Sequence, residues 1–199
     1  ERERRSLLNA LNGGFIAPSP GGDAVRNPNT LPTGRNLFGI NAEATPGVRA
    51  WDEGKALAKS TLDRYYRKHG EYPRKVSYTF WAGEFIETEG ATLAQALYML
   101  GVAPVRDGMN RVTDLRLIPS AELGRPRIDV VVQTSGQLRD VAASRLELLT
   151  KAVKMVAQSE NDTCGNYVSE GTVESERILL EKGFSPKEAR ELSTVRVFG

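Results

Sequence analysis

Apolar positions recur at helical spacing over residues 48–69. Trp51, Ala58, Leu62 and Tyr65 fall near one face, and Asp52, Glu53, Lys59, Asp63, Arg64 and Arg67 fall largely outside it. This predicts a helix stopped by Gly70, with Pro73 preventing its continuation. Further helices are predicted over 3–12 (ended by Gly13-Gly14), 91–100 (ended by Gly101) and 142–158, where Leu146, Leu149, Val153 and Val156 share a side. Two more occupy 166–193, and the second opens on Ser185-Pro186-Lys187-Glu188, a capping box with proline at the first helical position. Residues 75–82 are strand-like by β-branched and aromatic content. Residues 102–106 and 112–118 flank Asp107-Gly108 as a hairpin. Residues 128–134 are almost continuously apolar, as a strand covered on both faces requires. The order predicts an α/β layered domain with an open, mixed sheet and flanking helices. Tyr65, Tyr66, Trp81 and Tyr98 are expected in its core.

Residues 13–47 break this pattern. They hold five of the ten prolines and seven of the nineteen glycines, with only Asp23, Arg26, Arg35 and Glu43 charged. The prolines exclude a regular helix or central strand. Phe15, Ile16, Leu31, Leu37, Phe38 and Ile40 give more apolar content than a disordered linker carries. A long ordered N-terminal loop is expected over 1–47 behind the first helix, followed by an α/β core over 48–160 and a helical segment over 161–199.

With 199 residues, 40% hydrophobic and 26% charged, the chain has the composition of a globular domain. No run approaches the ~18 apolar residues that cross a membrane. A net charge of +2 gives no reason to expect nucleic acid or a membrane surface as partner. The single cysteine, Cys164, and single histidine, His69, cannot build a Cys/His zinc cage, and the counts fit a reducing, cytoplasmic setting. His69 sits where a cation complements a helix end, and Cys164 reads as an exposed loop thiol. The chain starts at Glu1 on a polar run and stops inside the apolar VRVFG, which suggests a fragment of a longer protein.

Three segments carry candidate chemistry. In GGDAVRNPNTLPTGRN, Arg26 and Arg35 can each grip a carboxylate with two prongs, while the asparagines can equally cap the loop's own backbone. In WAGEFIETEG, Glu84, Glu87 and Glu89 follow a strand; such carboxylates can receive a hard cation or accept protons. Glu84, directly after Gly83, is favoured as the functional acid, and Glu89 can equally cap the helix at 91. In SGQLRD, Arg139 is the functional candidate and Asp140 the helix cap. Neither GxGxxG, GxxxxGK[ST] nor GxSxG occurs, so phosphate-cradle and Ser-His hydrolase readings are disfavoured. In open α/β sheets ligands gather outside the carboxyl ends of strands, which singles out residues 83–90 and 135–141.

Together these segments resemble the large subunit of class I metal chelatases. The resemblance is carried by GGDAVRNPNTLPTGRN, AWDEGKALA, Tyr-Pro before a strand ending in Trp-Ala-Gly-Glu, AQALYMLGVAPVRDG, RVTDLRLIPSAELGRPRIDVVV and SGQLRD. The nearest branch is the CobN type of cobaltochelatase, related to the H subunit of magnesium chelatase. The resemblance implies a tetrapyrrole substrate (corrinoid or porphyrin), a divalent metal ion as co-substrate, cobalt or magnesium, and separate AAA+ subunits that hydrolyse ATP. It implies that Arg26, Arg35, Asn36 and Arg139 engage the ring and that Glu84 accepts the pyrrole protons. The chain departs from the cobalt branch in reading SGQLRDVAASR where an aromatic and an FRDAFP-like run are usual. That departure keeps open a haem-directed relative acting on iron; a non-catalytic ring-binding module is a separate alternative.

Overall fold

The computed structural model describes residues 1–21, 24–25, 28–160 and 162–199. Arg26 therefore lies outside the described residues. The chain begins with α1 (Arg2–Leu11), then a loop holding β1 (Ser19–Pro20) and β2 (Asn36–Phe38), which pair in parallel. Next come α2 (Val48–His69), β3 (Lys75–Phe80), α3 (Ala82–Glu87) and α4 (Ala91–Leu100). The hairpin β4 (Val102–Arg106) and β5 (Val112–Leu117) leads through α5 (Ser120–Leu123) to β6 (Asp129–Thr134). The chain closes with α6 (Gly136–Ala157), α7 (Tyr167–Glu181), α8 (Pro186–Leu192) and β7 (Val197–Phe198).

The chain is α/β, with helices flanking its sheets. Parallel and antiparallel pairings fall in separate sheets: β3-β6-β7 is parallel, and β4-β5 stands alone as an antiparallel pair. β6 is central, which explains its apolar run: Val130 and Val132 are fully buried. The edge strand β3 alternates, turning Val76, Tyr78 and Phe80 inward and Lys75, Ser77 and Thr79 outward. Burial pushes the Tyr78 hydroxyl well above its usual titration range.

The core centres on α4, eight of whose ten residues are buried. The buried stripe of α2, Ala50, Gly54, Ala58 and Leu62, repeats every four residues and packs on it. Gly54 lets the two backbones meet: a Cβ there would lie 2.6 Å from the Ala91 carbonyl oxygen and from Ala94 Cβ. Gly70 (φ 76°) ends α2 as expected, and Ser185 and Glu188 form the expected capping box.

Two expected loops are helical. Residues 83–90 were expected as a loop after a strand reaching 82, but β3 ends at Phe80 and α3 begins at Ala82. Burial of Ala82 and Phe85 against the core overrides the weak helical propensity of a glycine-containing hexamer. α6 likewise starts at Gly136, because the Ser135 hydroxyl accepts a hydrogen bond from Leu138 N at 3.3 Å and Leu138 is fully buried. The cap is thus Ser135, and Asp140 is an exposed residue inside the helix. The predicted start at 142 coincides with a non-helical break at Ala142.

The aromatics divide. Tyr98 is buried, but Tyr65, Tyr66 and Trp81 are exposed. Buried positions of α2 end at Leu62, so the last two turns project beyond the shorter α4. There Tyr65 stacks on His69 with ring centres 4.3 Å apart.

The long loop is held to the core by arginines. Arg145 of α6 donates to Thr45 O at 3.2 Å and pairs with Glu43. Arg106 donates to Ala44 O at 3.3 Å and also to Pro46 O. Burial lowers the pKa of both guanidinium groups from the usual arginine value. Arg127, 3% exposed at its side chain, pairs with Asp162 at 2.6 Å and donates to the Gly101 and Ile118 carbonyls. These bonds satisfy a charge that would otherwise destabilise the interior.

Candidate active site

The carboxyl ends of β3 and β6 lie side by side, since Ser135 N donates to Phe80 O at 3.2 Å. The end of β7 joins them: a Cβ on Gly199 would lie 2.2 Å from Thr134 O. At this rim Trp81, 63% exposed, leads into α3, and Glu84 follows three residues later, on the same side of the helix.

Glu84 is half-buried and its carboxylate is oriented. The Thr92 hydroxyl donates to Glu84 Oε1 at 2.6 Å. The Thr88 hydroxyl lies 2.8 Å from the Glu84 carbonyl oxygen and 3.1 Å from Oε1. Both contacts fall on one carboxylate oxygen, so Oε2 lies outside this pair of bonds. Thr88 Oγ1 also accepts from Ala91 N at 3.2 Å, so Thr88 satisfies the first backbone N–H of α4. Glu89 itself adopts a left-handed backbone (φ 52°) beside Gly90. Among the described residues no group of three or more His, Cys, Asp and Glu side chains is placed to hold a metal ion. Glu84, Glu87 and Glu89 therefore do not form the cation-receiving cluster that their spacing allowed.

Two other elements reach α3. α6 packs against it and carries Arg139, exposed, in its first turns. The loop after β2 also touches it, since a Cβ on Gly39 would lie 3.7 Å from Ile86 Cδ1. Arg35 lies four residues upstream of Gly39 and is half-buried. It lines a cavity against α1 to which neither Glu84 nor Arg139 contributes. The Asn36 amide is taken up by its own loop, donating to Pro20 O at 2.5 Å and Thr30 O at 2.9 Å. This is the self-capping use of a loop asparagine, and it leaves the Asn36 side-chain oxygen to other partners.

The sequence reading missed Thr88, Thr92 and the exposure of Trp81. The two threonines stand four and eight residues beyond Glu84, a signal readable only once residues 82–87 are known to be helical.

The family model for CobN/Magnesium Chelatase matches residues 1–199. The aerobic cobaltochelatase subunit CobN of Sinorhizobium sp is 37% identical over 199 residues, covering 99% of this chain and 16% of that protein. The chloroplastic magnesium-chelatase subunit ChlH of Oryza sativa subsp. indica is 40% identical over 190 residues, covering 95% of this chain and 14% of that protein. Among solved structures, the catalytic subunit of cobaltochelatase from Mycobacterium tuberculosis superposes with a TM-score of 0.79 at 39% identity, covering 99% of this chain and 16% of that one. The chain thus spans about one sixth of the length of the relatives it matches. Matched from end to end in sequence, and in fold at substantial identity, the chain belongs to the CobN/magnesium-chelatase family.

Proposed function

We propose that this chain is the part of a chelatase large subunit that holds a tetrapyrrole ring and takes up the protons released as a divalent metal ion enters it. AAA+ partner subunits hydrolyse ATP to drive the cycle. One observation carries this reading. Relatives named for cobalt and for magnesium share this segment at 37% and 40% identity. A segment common to both serves what the two reactions have in common, which is the ring and its protons rather than the choice of metal.

The chemistry follows. Insertion exchanges two pyrrole N–H protons for one divalent cation. A carboxylate beside the ring face accepts these protons and passes them to water. Glu84 suits this role: two threonine hydroxyls fix its orientation through Oε1, and Oε2 lies outside both bonds. Exposed Trp81 offers a flat apolar surface three residues away, and Arg139 supplies a cation for ring carboxylates.

The test is spectral. The full-length protein is titrated with a metal-free porphyrin, a metal-free corrinoid and haem, following the absorption band of each ring. A saturable band shift is expected with at least one metal-free ring. A shift with haem alone would instead favour metal removal, the reading that the SGQLRD departure keeps open. No shift with any ring would refute ring binding.

A further inference from the structure

A cavity of about 760 Å³ lies between α1 and the loop residues Phe15, Ile16, Ala17, Pro32, Thr33 and Arg35. That volume is in the range of ordinary ligand pockets, roughly 300–1,000 Å³. Three arginines line it: Arg2 and Arg5, three residues apart on α1, and Arg35 from the loop. Leu8, Phe15 and Ile16 supply an apolar wall, and among the described residues no aspartate or glutamate lines the cavity.

The walls are fixed to one another. Asn9 Nδ2 donates to Phe15 O at 2.9 Å, tying the loop to α1. Gly34 (φ +93°) comes so close that a Cβ would lie 2.7 Å from Glu3 Cα. Ser19 N donates to Arg35 O at 2.8 Å, and the Asn36 amide holds Pro20 and Thr30. The basic groups are thus brought together by the fold.

Among the described residues they also lack anionic partners. None of the three arginines makes an ion pair among the described residues. The Arg35 Nε–H is buried and has no hydrogen-bond acceptor among the described residues. A buried unpaired donor destabilises, and so do three like charges around one cavity. A ligand carboxylate relieves both, because guanidinium binds it through two parallel, charge-assisted bonds.

Resting on the ring-binding reading above, we propose that this cavity grips the carboxylate arms of the tetrapyrrole, with Arg2, Arg5 and Arg35 as its contacts. The placement suits a ligand that also reaches Glu84. Four residues span at most about 14 Å, so Arg35 is tethered close to Gly39. Gly39 rests on Ile86, two residues beyond Glu84.

The test uses the full-length protein and two probes, a metal-free porphyrin with free carboxylates and its carboxyl ester. The double variant Arg2→Ala/Arg5→Ala and the single variant Arg35→Ala are compared with the parent. Arg2 and Arg5 are exposed, so their removal uncovers no core. Losing charge-assisted bonds should weaken binding of the free acid by roughly tenfold or more in each variant while leaving ester binding little changed. If the parent binds the acid and both variants bind it equally well, the arginine cavity is not the grip, although ring binding stands. Equal affinity of the parent for acid and ester would also overturn the proposal. If the parent binds neither probe, the ring-binding reading itself fails and the proposal falls with it.

Discussion

The Thr92 hydroxyl donates to Glu84 Oε1 at 2.6 Å, linking the first turn of α4 to α3 across the Thr88–Gly90 turn. A largely buried core helix therefore holds a carboxylate that follows the end of β3. With Glu84 as the proposed proton acceptor, Thr92 would act through it as a positioning residue. Thr92→Val keeps the shape and removes the bond. In metal-insertion assays with the partner subunits, kcat should fall about tenfold while the KM for the ring stays unchanged. Thr92→Ser should restore the rate. Equal slowing by valine and serine, at equal thermal stability, would refute the positioning role.

The close approach of α2 and α4 gives a stability prediction. Gly54→Ala forces a methyl against the Ala91 carbonyl and Ala94, and should destabilise by about 1–3 kcal/mol. Gly83→Ala is the control: a Cβ there meets nothing within 4 Å inside a helix, and the change should stabilise by about 0.4–1 kcal/mol. Denaturant midpoints measure both. An unchanged midpoint for Gly54→Ala would mean that the helices pack less tightly than described.

Asp114 of β5 meets Lys151 of α6 at 2.8 Å. That hydrogen bond, followed by one from the Leu115 amide, holds the Asp114 carboxyl below the usual carboxylate range. A folded-state pKa below the unfolded one stabilises fully above the unfolded value, about 4, and the contribution fades as pH falls through the folded value. Both side chains are more than half exposed, so the effect is small and screened by salt. Asp114→Asn should lower the thermal midpoint slightly at pH 6 and low salt, and the two proteins should converge below pH ~3. A constant difference across that range would exclude the ion pair as its source.

Much of this fold is legible in the residues. α2 and α4 match the expected ranges because each has a regular apolar pattern and a left-handed glycine at its end. The hairpin and β6 are equally readable. α3 is not, because six residues are too few to show a helical period, and buried Phe85 decides the matter through contacts distant in sequence. The α6 start depends on buried Leu138 and the break at Ala142. Sheet order is also invisible to local pattern: β7 pairs with β6, more than sixty residues away in the chain. At the site, Glu84 and Arg35 were readable as candidates. Their companions Thr88, Thr92, Arg2 and Arg5 were not, since each is brought in by the fold rather than by a motif.

The most direct test of the account is Glu84→Gln in the full-length protein, with metal insertion and ring binding measured side by side. Loss of the proposed proton acceptor should slow insertion at least about a hundredfold, and the affinity for the metal-free ring should stay within about twofold of the parent. Insertion at the parent rate with the amide in place would contradict the assignment of Glu84 as the group that takes the pyrrole protons.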